Sequence, residues 1–320
     1  VMGTVRLPGA KLGGNLECDS GTFTAGNSGE VINADSAKIE GGLFLRGPNT
    51  QIKGVLDLTA SRIGSICDEK RAWPKPQAEG EGSLILNRCK YGSFTGNNIT
   101  AKDRIEWLAL QKPSDYGRDF WPQPYEQCAK VLREMGHRSD AREVLIEKER
   151  LQREAVRESL KREHLYEDAM LRAPRDFVLH WTVGYGYAPF RALFGLAVFL
   201  LIGWSVFWSA GFQGAIKPNH PVFLRSDAWV ATASHAPVEE RIGVFLAAPE
   251  AASYPRFNAF IYSVDTLLPV VSLEMQEYWI PDETVGRGGW IRAYLWLHIA
   301  AGWFFSLMAV AGFSGLVRSD

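Results

Sequence analysis

What is scarce in this sequence excludes several classes of function. Cysteine is rare, four in 320 residues, and Cys18, Cys67, Cys89 and Cys128 stand far apart with no C-x-x-C pair and no histidine at zinc-ligand spacing. A disulfide scaffold and a structural zinc are therefore not expected, and the thiols read as small apolar core residues in a reducing compartment. Charge of one sign is also lacking. The 35 Lys and Arg against 36 Asp and Glu leave a formal net charge of −1, so neither a nucleic-acid partner nor an acidic tail is expected. There is no G-x-G-x-x-G after a strand, no haem-attachment pair and no redox dithiol, so no cofactor, metal or catalytic residue is assigned. No apolar leader precedes the first patterned residues, and with Val1 in first place the sequence reads as a fragment of a longer chain.

What is present is unevenly spread. Eight of the eleven Trp fall after residue 180, with nearly all the long apolar runs, so the mean hydropathy of −0.11 averages two unlike halves. The first hundred residues are self-similar: Ala10-Lys-Leu-Gly-Gly-Asn-Leu16, Ala37-Lys-Ile-Glu-Gly-Gly-Leu43, Ala60-Ser-Arg-Ile-Gly-Ser-Ile66 and Cys89-Lys-Tyr-Gly-Ser-Phe94. The apolar anchor recurs at Leu12, Ile39, Ile63 and Tyr91, at spacings of 27, 24 and 28. Short alternating runs beside it, such as Val55-Leu-Asp-Leu58, have the period of half-buried strands. Alternation broken by glycine suits a β-solenoid in which coils stack and glycine turns the corners, with a small β-sandwich as the alternative. The stretch 68–82, with Trp73, Pro74 and Pro76, is expected as a loop ejected from one corner.

Helical composition begins at Pro122-Gln-Pro-Tyr125, and Gly136 is placed to end the first helix. Ser139 or Asp140 is expected to cap a second. Between 147 and 167, twelve of twenty-one residues are charged, and the pairs Glu149/Arg153 and Glu158/Arg162 lie four apart with the acid first. That pattern predicts a long solvated helix serving as a spacer or an oligomerisation collar.

Residues 192–212 carry no charge over 21 positions, and 293–317 over 25 hold no Asp, Glu, Lys or Arg, with His298 the one residue that titrates near neutral pH. Each is long enough to cross a hydrocarbon core, which needs about 20 helical residues. Trp181, Tyr185, Tyr187 and Arg191 before the first run, and Trp290, Arg292 and Arg318 around the second, are expected as interfacial anchors. The connector's arginines and lysines are expected to keep the N-terminal region, and through two spans the C-terminus, in the cytoplasm. The intervening 213–289 carries five basic and nine acidic residues and is expected outside. Within it, 257–273 is apolar except for Asp265. It is too short for an independent span and reads as a re-entrant half-helix over about 257–274. The fold class is thus a multidomain α and β chain: a β-solenoid at 1–112, a helical connector at 113–180 and a membrane domain at 181–320 with two transmembrane helices and the half-helix. A carboxylate at membrane depth costs about 2.5–3.5 kcal/mol on insertion scales, so Asp265 needs a partner, such as Arg256, or water. With Glu274 and Glu277 it forms the candidate ion pathway.

Two resemblances follow from these residues. Tyr262-Ser-Val-Asp-Thr-Leu-Leu-Pro-Val270, lying between two spans, resembles the pore helix of two-span potassium channels. The glycine-bearing filter does not follow; Val271-Ser-Leu-Glu274 stands there, and a ring of Glu274 side chains resembles the Leu-Glu step of sodium and calcium channel filters. The literal Thr182-Val-Gly-Tyr-Gly186 precedes the first span and reads as an interfacial turn. The whole chain resembles a bacterial group in which Gly-Gly repeats, Gln123-Pro-Tyr-Glu126, the Thr182–Tyr187 step and the 258–271 segment follow in this order; its members have been labelled membrane-associated oxidoreductases. The expected functions are an oligomeric membrane pore with a cytoplasmic solenoid, a membrane-anchored scaffold whose solenoid recruits a cytoplasmic protein, and, by label alone, an oxidoreductase. The expected partners are the lipid bilayer and further copies of the chain or a larger membrane complex.

Overall fold

The computed structural model describes residues 1–221, 225–237 and 240–316, and the chain divides into two compact units, Val1–His180 and Trp181–Asp320. The expected anchor Arg318 lies outside the described residues, as does the end of the second predicted span.

The repeat builds a parallel β-solenoid of about three turns. One face stacks β1 (Val5–Arg6), β5 (Glu30–Asn33), β8 (Val55–Asp57) and β10 (Leu84–Ile85). A second stacks β2 (Lys11–Leu12) and β3 (Leu16–Glu17) on β6 (Lys38–Leu45), then β9 (Arg62–Asp68) and β11 (Lys90–Phe94), and a third pairs β4 (Thr22–Thr24) with β7 (Gln51–Lys53). The four sequence anchors are direct rung partners, Leu12 with Ile39, Ile39 with Ile63, and Ile63 with Tyr91. A parallel column runs through Leu16, Leu43, Ile66 and Phe94. Stacking like on like buries each coil's inward side chains against the next, which supplies the core no single coil has.

Glycine turns the corner that leads into the first face, where Gly3, Gly29 and Gly54 precede β1, β5 and β8 with φ of 110°, 75° and 127°, but it turns the corner from the first face to the second in one coil only. That left-handed position is Gly9 in the first coil and then Ser36, Ala60 and Arg88, with φ of 64°, 58°, 52° and 59°. A non-glycine residue there costs about 1–2 kcal/mol, offset by a corner N–H bonded to the next coil: Ser36 to the Thr59 carbonyl at 2.7 Å and Ala60 to that of Asn87 at 2.8 Å. Gly41, Gly64 and Gly92, which follow the anchors, serve close approach instead. A Cβ on Gly92 would stand 2.7 Å from the Gly64 carbonyl, and one on Gly64 would strike the backbone of Glu40 and Gly41. The stretch 68–82 is only partly ejected, because Lys75 bridges Lys53 and continues the third face, while Trp73 is buried and donates to Asp68 at 2.6 Å.

Helices α1 (Ala101–Leu108), α2 (Pro122–Glu134), α3 (Arg138–Arg162) and α4 (Tyr166–Val183) follow. Asp140 does not cap its own helix; it accepts from Ala101 N at 2.8 Å, at the start of α1. The solvated-helix expectation holds for the far end of α3 only, since Val144, Leu145, Lys148 and Glu149 are buried. Glu149 and Arg153 pair at 3.5 Å, whereas Glu158 meets Lys161 and Arg162 reaches Asp119.

In the second unit, α5 (Phe190–Phe212) leads to β12 (Ile216–Pro218), α6 (Asp227–His235), α7 (Arg241–Leu246), α8 (Ala259–Leu267), α9 (Met275–Tyr278), β13 (Trp279–Pro281) and α10 (Gly288–Phe313). Helices α5 and α10 are long and apolar enough to cross a membrane, with hydropathy of 2.0 and 1.6. Only 17% and 33% of their apolar windows are buried, whereas the core helix of a soluble domain hides most of its surface. Trp208, Phe212, Trp296 and Val310 are among the side chains left open.

Candidate functional site

The second unit is organised around α8. Asn258 opens this helix as its N-cap, its Oδ1 accepting from Phe260 N at 3.0 Å and Ile261 N at 3.1 Å. Three glycines let α8 and Phe257, just before its cap, lie close to their neighbours. A Cβ on Gly211 of α5 would meet the Phe257 ring, one on Gly203 would meet Ser263 and His298, and one on Gly302 of α10 would strike the Leu267 carbonyl. At the middle contact Ser263 Oγ donates to the Leu200 carbonyl at 3.0 Å. His298, fully buried, has Tyr294 OH 3.2 Å from Nδ1 and the Ser263 carbonyl 3.2 Å from Nε2. His298 is therefore a hydrogen-bonded core residue tying α8 and α10, and Ser263 extends the tie to α5.

Asp265 lies on α8 with 3% exposure. Its Oδ1 accepts from Leu273 N at 2.6 Å and its Oδ2 from Gln276 N at 2.8 Å. The partner is thus backbone, not Arg256, and the carboxylate clasps the turn that follows the helix. Glu274 sits inside that clasp with φ +62°, exposed, immediately before α9. Glu277 is exposed on α9. The sequence grouping of Asp265, Glu274 and Glu277 is therefore one hairpin, with one acid turned inward and two outward. The chain returns through β13, which pairs antiparallel with β12, and Trp279 Nε1 donates to the Pro255 carbonyl at 2.9 Å. Beyond β13, burial alone would raise the Asp282 carboxyl, but Thr284 and Lys217 outweigh it and hold it below the usual carboxylate range.

The expected anchors divide. Trp181 and Trp290 are exposed, at 65% and 80%, and Arg191 is exposed. Arg292 pairs with Glu283 at 3.1 Å, and Tyr187 is half-buried. Tyr185 differs: it is 2% exposed and lies in the left-handed run Gly184, Tyr185, Gly186 with φ of 53°, 54° and 86°. Val183 beside it touches the place of Gly312 on α10, where a Cβ would lie 3.2 Å from Val183 Cγ1. The Thr182–Tyr187 step is thus a turn packed inward.

Sequence reasoning missed the residues that close the solenoid. Gln123 Oε1 accepts from Arg88 N at 2.8 Å and its Nε2 donates to the Cys89 carbonyl at 3.1 Å; Gln127 donates to the Tyr91 carbonyl at 2.7 Å, and Gln111 accepts from Leu86 N at 3.2 Å. The available signal was Gln at positions four apart on α2, the second helix after the last solenoid strand. Among the described residues no group of three or more His, Cys, Asp or Glu is placed to hold a metal ion. Compared with known protein families, curated proteins and solved structures, the chain matches none.

Proposed function

We propose that the chain is one subunit of an oligomeric, ion-conducting membrane pore with a cytoplasmic β-solenoid. In this reading α5 and α10 span the bilayer, α8 and its return form a re-entrant hairpin, and Glu274 and Glu277 line a shared water path while Asp265 holds the hairpin's shape. The observation that carries it is the Asp265 clasp, which uses a costly buried carboxylate to fix a non-helical turn and leaves Glu274 facing out. Such backbone survives at membrane depth only against protein or water. The nine residues of α8 are about 13 Å long, and the contacts of Phe257 and α8 run from Gly211 at the end of α5 to Gly302 within α10 before the chain returns to Trp279 beside Pro255. Val270, 92% exposed, then meets a neighbouring copy or water. The basic connector supports an orientation with the solenoid and the C-terminus inside. The order of motifs supports the resemblance to the bacterial two-span group, which implies a bacterial inner membrane.

Cation flux into vesicles carrying the purified chain tests this. Glu274→Gln is expected to lower cation flux several-fold, and Asp265→Asn to lower it further by loosening the hairpin. A parent chain that stays silent under changes of voltage, pH and calcium overturns the pore. The alternative is a membrane-anchored scaffold that recruits a cytoplasmic protein through the solenoid. One observation favours it: both Asp265 oxygens are already bonded to backbone, so this buried carboxylate is not free for ions.

A further inference from the structure

The sequence repeat carries a second column besides its apolar anchor. Lys11, Lys38, Arg62 and Lys90 immediately precede the four anchors, and the rung partners are Lys11 with Lys38, Lys38 with Arg62 and Arg62 with Lys90. All four are exposed on the outer side of one solenoid face. Neighbouring strands lie about 4.8 Å apart, so four cations occupy a row roughly 14 Å long. Like charges directly opposite one another destabilise a sheet, and the row is only slightly relieved from within. Lys38 meets Glu40 at 2.5 Å, while Lys11, Arg62 and Lys90 form no ion pair with a described residue.

The surface beside the row is kept low. Two residues on from Arg62 and Lys90 stand Gly64 and Gly92, where the neighbouring coil's carbonyls leave no room for a Cβ. Together with Gln127, Lys130 and Glu134 of α2 they border a shallow groove of about 350 Å³. Long cationic side chains therefore stand along one side of an open trough. Three of the four are lysines, compact flexible ammonium groups that meet phosphates as point charges without the bidentate fixity of arginine.

We infer that this face docks on the anionic phospholipid headgroups of a membrane. A row of this length offers too few charges to track duplex nucleic acid, for which six to ten phosphate contacts are typical. Basic side chains near an anionic leaflet each add attraction, and the same chain carries two helices apolar enough to insert, so headgroups are always at high local concentration. The inference rests on membrane insertion of α5 and α10 and is independent of ion conduction.

The test uses the full chain in vesicles with a fluorophore at Thr95→Cys, exposed at the end of β11, and a headgroup-labelled quencher lipid. With 30% phosphatidylglycerol in phosphatidylcholine, quenching is expected to exceed that in phosphatidylcholine alone at least threefold, and to fall to that level in ~0.5 M salt, where screening is strong. The fourfold variant Lys11→Gln, Lys38→Gln, Arg62→Gln, Lys90→Gln is expected to abolish the difference. The charge-matched variant Lys53→Gln, Lys75→Gln, Arg118→Gln, Arg142→Gln is expected to keep it. Equal quenching in both lipids, equal loss in both variants, or ladder-dependent binding of a soluble RNA oligonucleotide without any lipid effect overturns the inference. Carbonate extraction run on each sample separates the two failures: a chain stripped from the vesicles removes membrane insertion itself, whereas a retained chain with unchanged quenching removes only the docking face.

Discussion

Arg104 is the residue on which the join between solenoid and helices turns. Its guanidinium makes two bonds to Asp68, at 2.7 and 3.0 Å, with both side chains essentially unexposed, and it lies 3.8 Å over the Phe94 ring. Removing one partner of such a pair leaves a buried charge uncompensated, so Arg104→Met is expected to destabilise the unit by about 3–5 kcal/mol in urea unfolding. The double variant with Asp68→Leu is expected to recover part of that loss. Asp57 gives a pH signature. Burial, reinforced by Asp35 and Glu30, raises its carboxyl above the ordinary range despite the bonds from Thr59. The folded state thus holds this proton more tightly than the unfolded state. Its contribution is fully present below the unfolded pKa of about 3.9 and is lost as pH rises through the raised folded value. Asp57→Asn, which keeps the Oδ1 acceptor for Thr59 N, is therefore expected to raise the thermal midpoint at neutral pH, with the gain vanishing below about pH 3.5. Circular dichroism melts across that range check it.

At the scale of elements, the strands were readable because stacking demands that equivalent positions repeat. The intervals between Leu12, Ile39, Ile63 and Tyr91 are the rungs themselves. The corners were legible only in part, because composition does not distinguish glycine needed for a left-handed φ from glycine needed for close approach; Gly29 and Gly54 take the first role, Ala60 takes it without being glycine, and Gly92 takes the second. The membrane-type helices were equally plain from their apolar runs, although α10 begins at Gly288, five residues before the predicted start. The pairings of Asp140 with Ala101, and of Asp265 with Leu273 and Gln276, were not legible, since each joins a side chain to backbone set by folding at a distance. The glutamine cap makes its own prediction. Gln123→Ala with Gln127→Ala strips partners from three backbone groups of the last coil, and is expected to cost about 1 kcal/mol per half-exposed group. An edge so opened also pairs with other chains, so light scattering on warming should rise earlier than in the parent.

For the whole molecule, a net charge of −1 and a near-zero mean hydropathy conceal a charged, coil-built half and an apolar helical half. The division at His180 lies at the predicted start of the membrane domain, and it was legible because the Trp and apolar runs begin there. Partnership was not legible, because two helices of this kind can anchor a platform or wall a channel. Stoichiometry separates the two: native mass measurement in detergent is expected to give several copies per particle, and a single copy removes the pore.

The cap over the final coil also constrains how this protein can be lengthened. Gln111, Gln123 and Gln127 fit the backbone of one rung only, that of Leu86 to Tyr91. An additional coil appended after Phe94 would lose that fit, whereas one spliced in at the Ala60 corner would find the same interface above and below. A protein engineer seeking a longer spacer should therefore duplicate a middle coil and leave the terminal rung and its lid as an inseparable cassette.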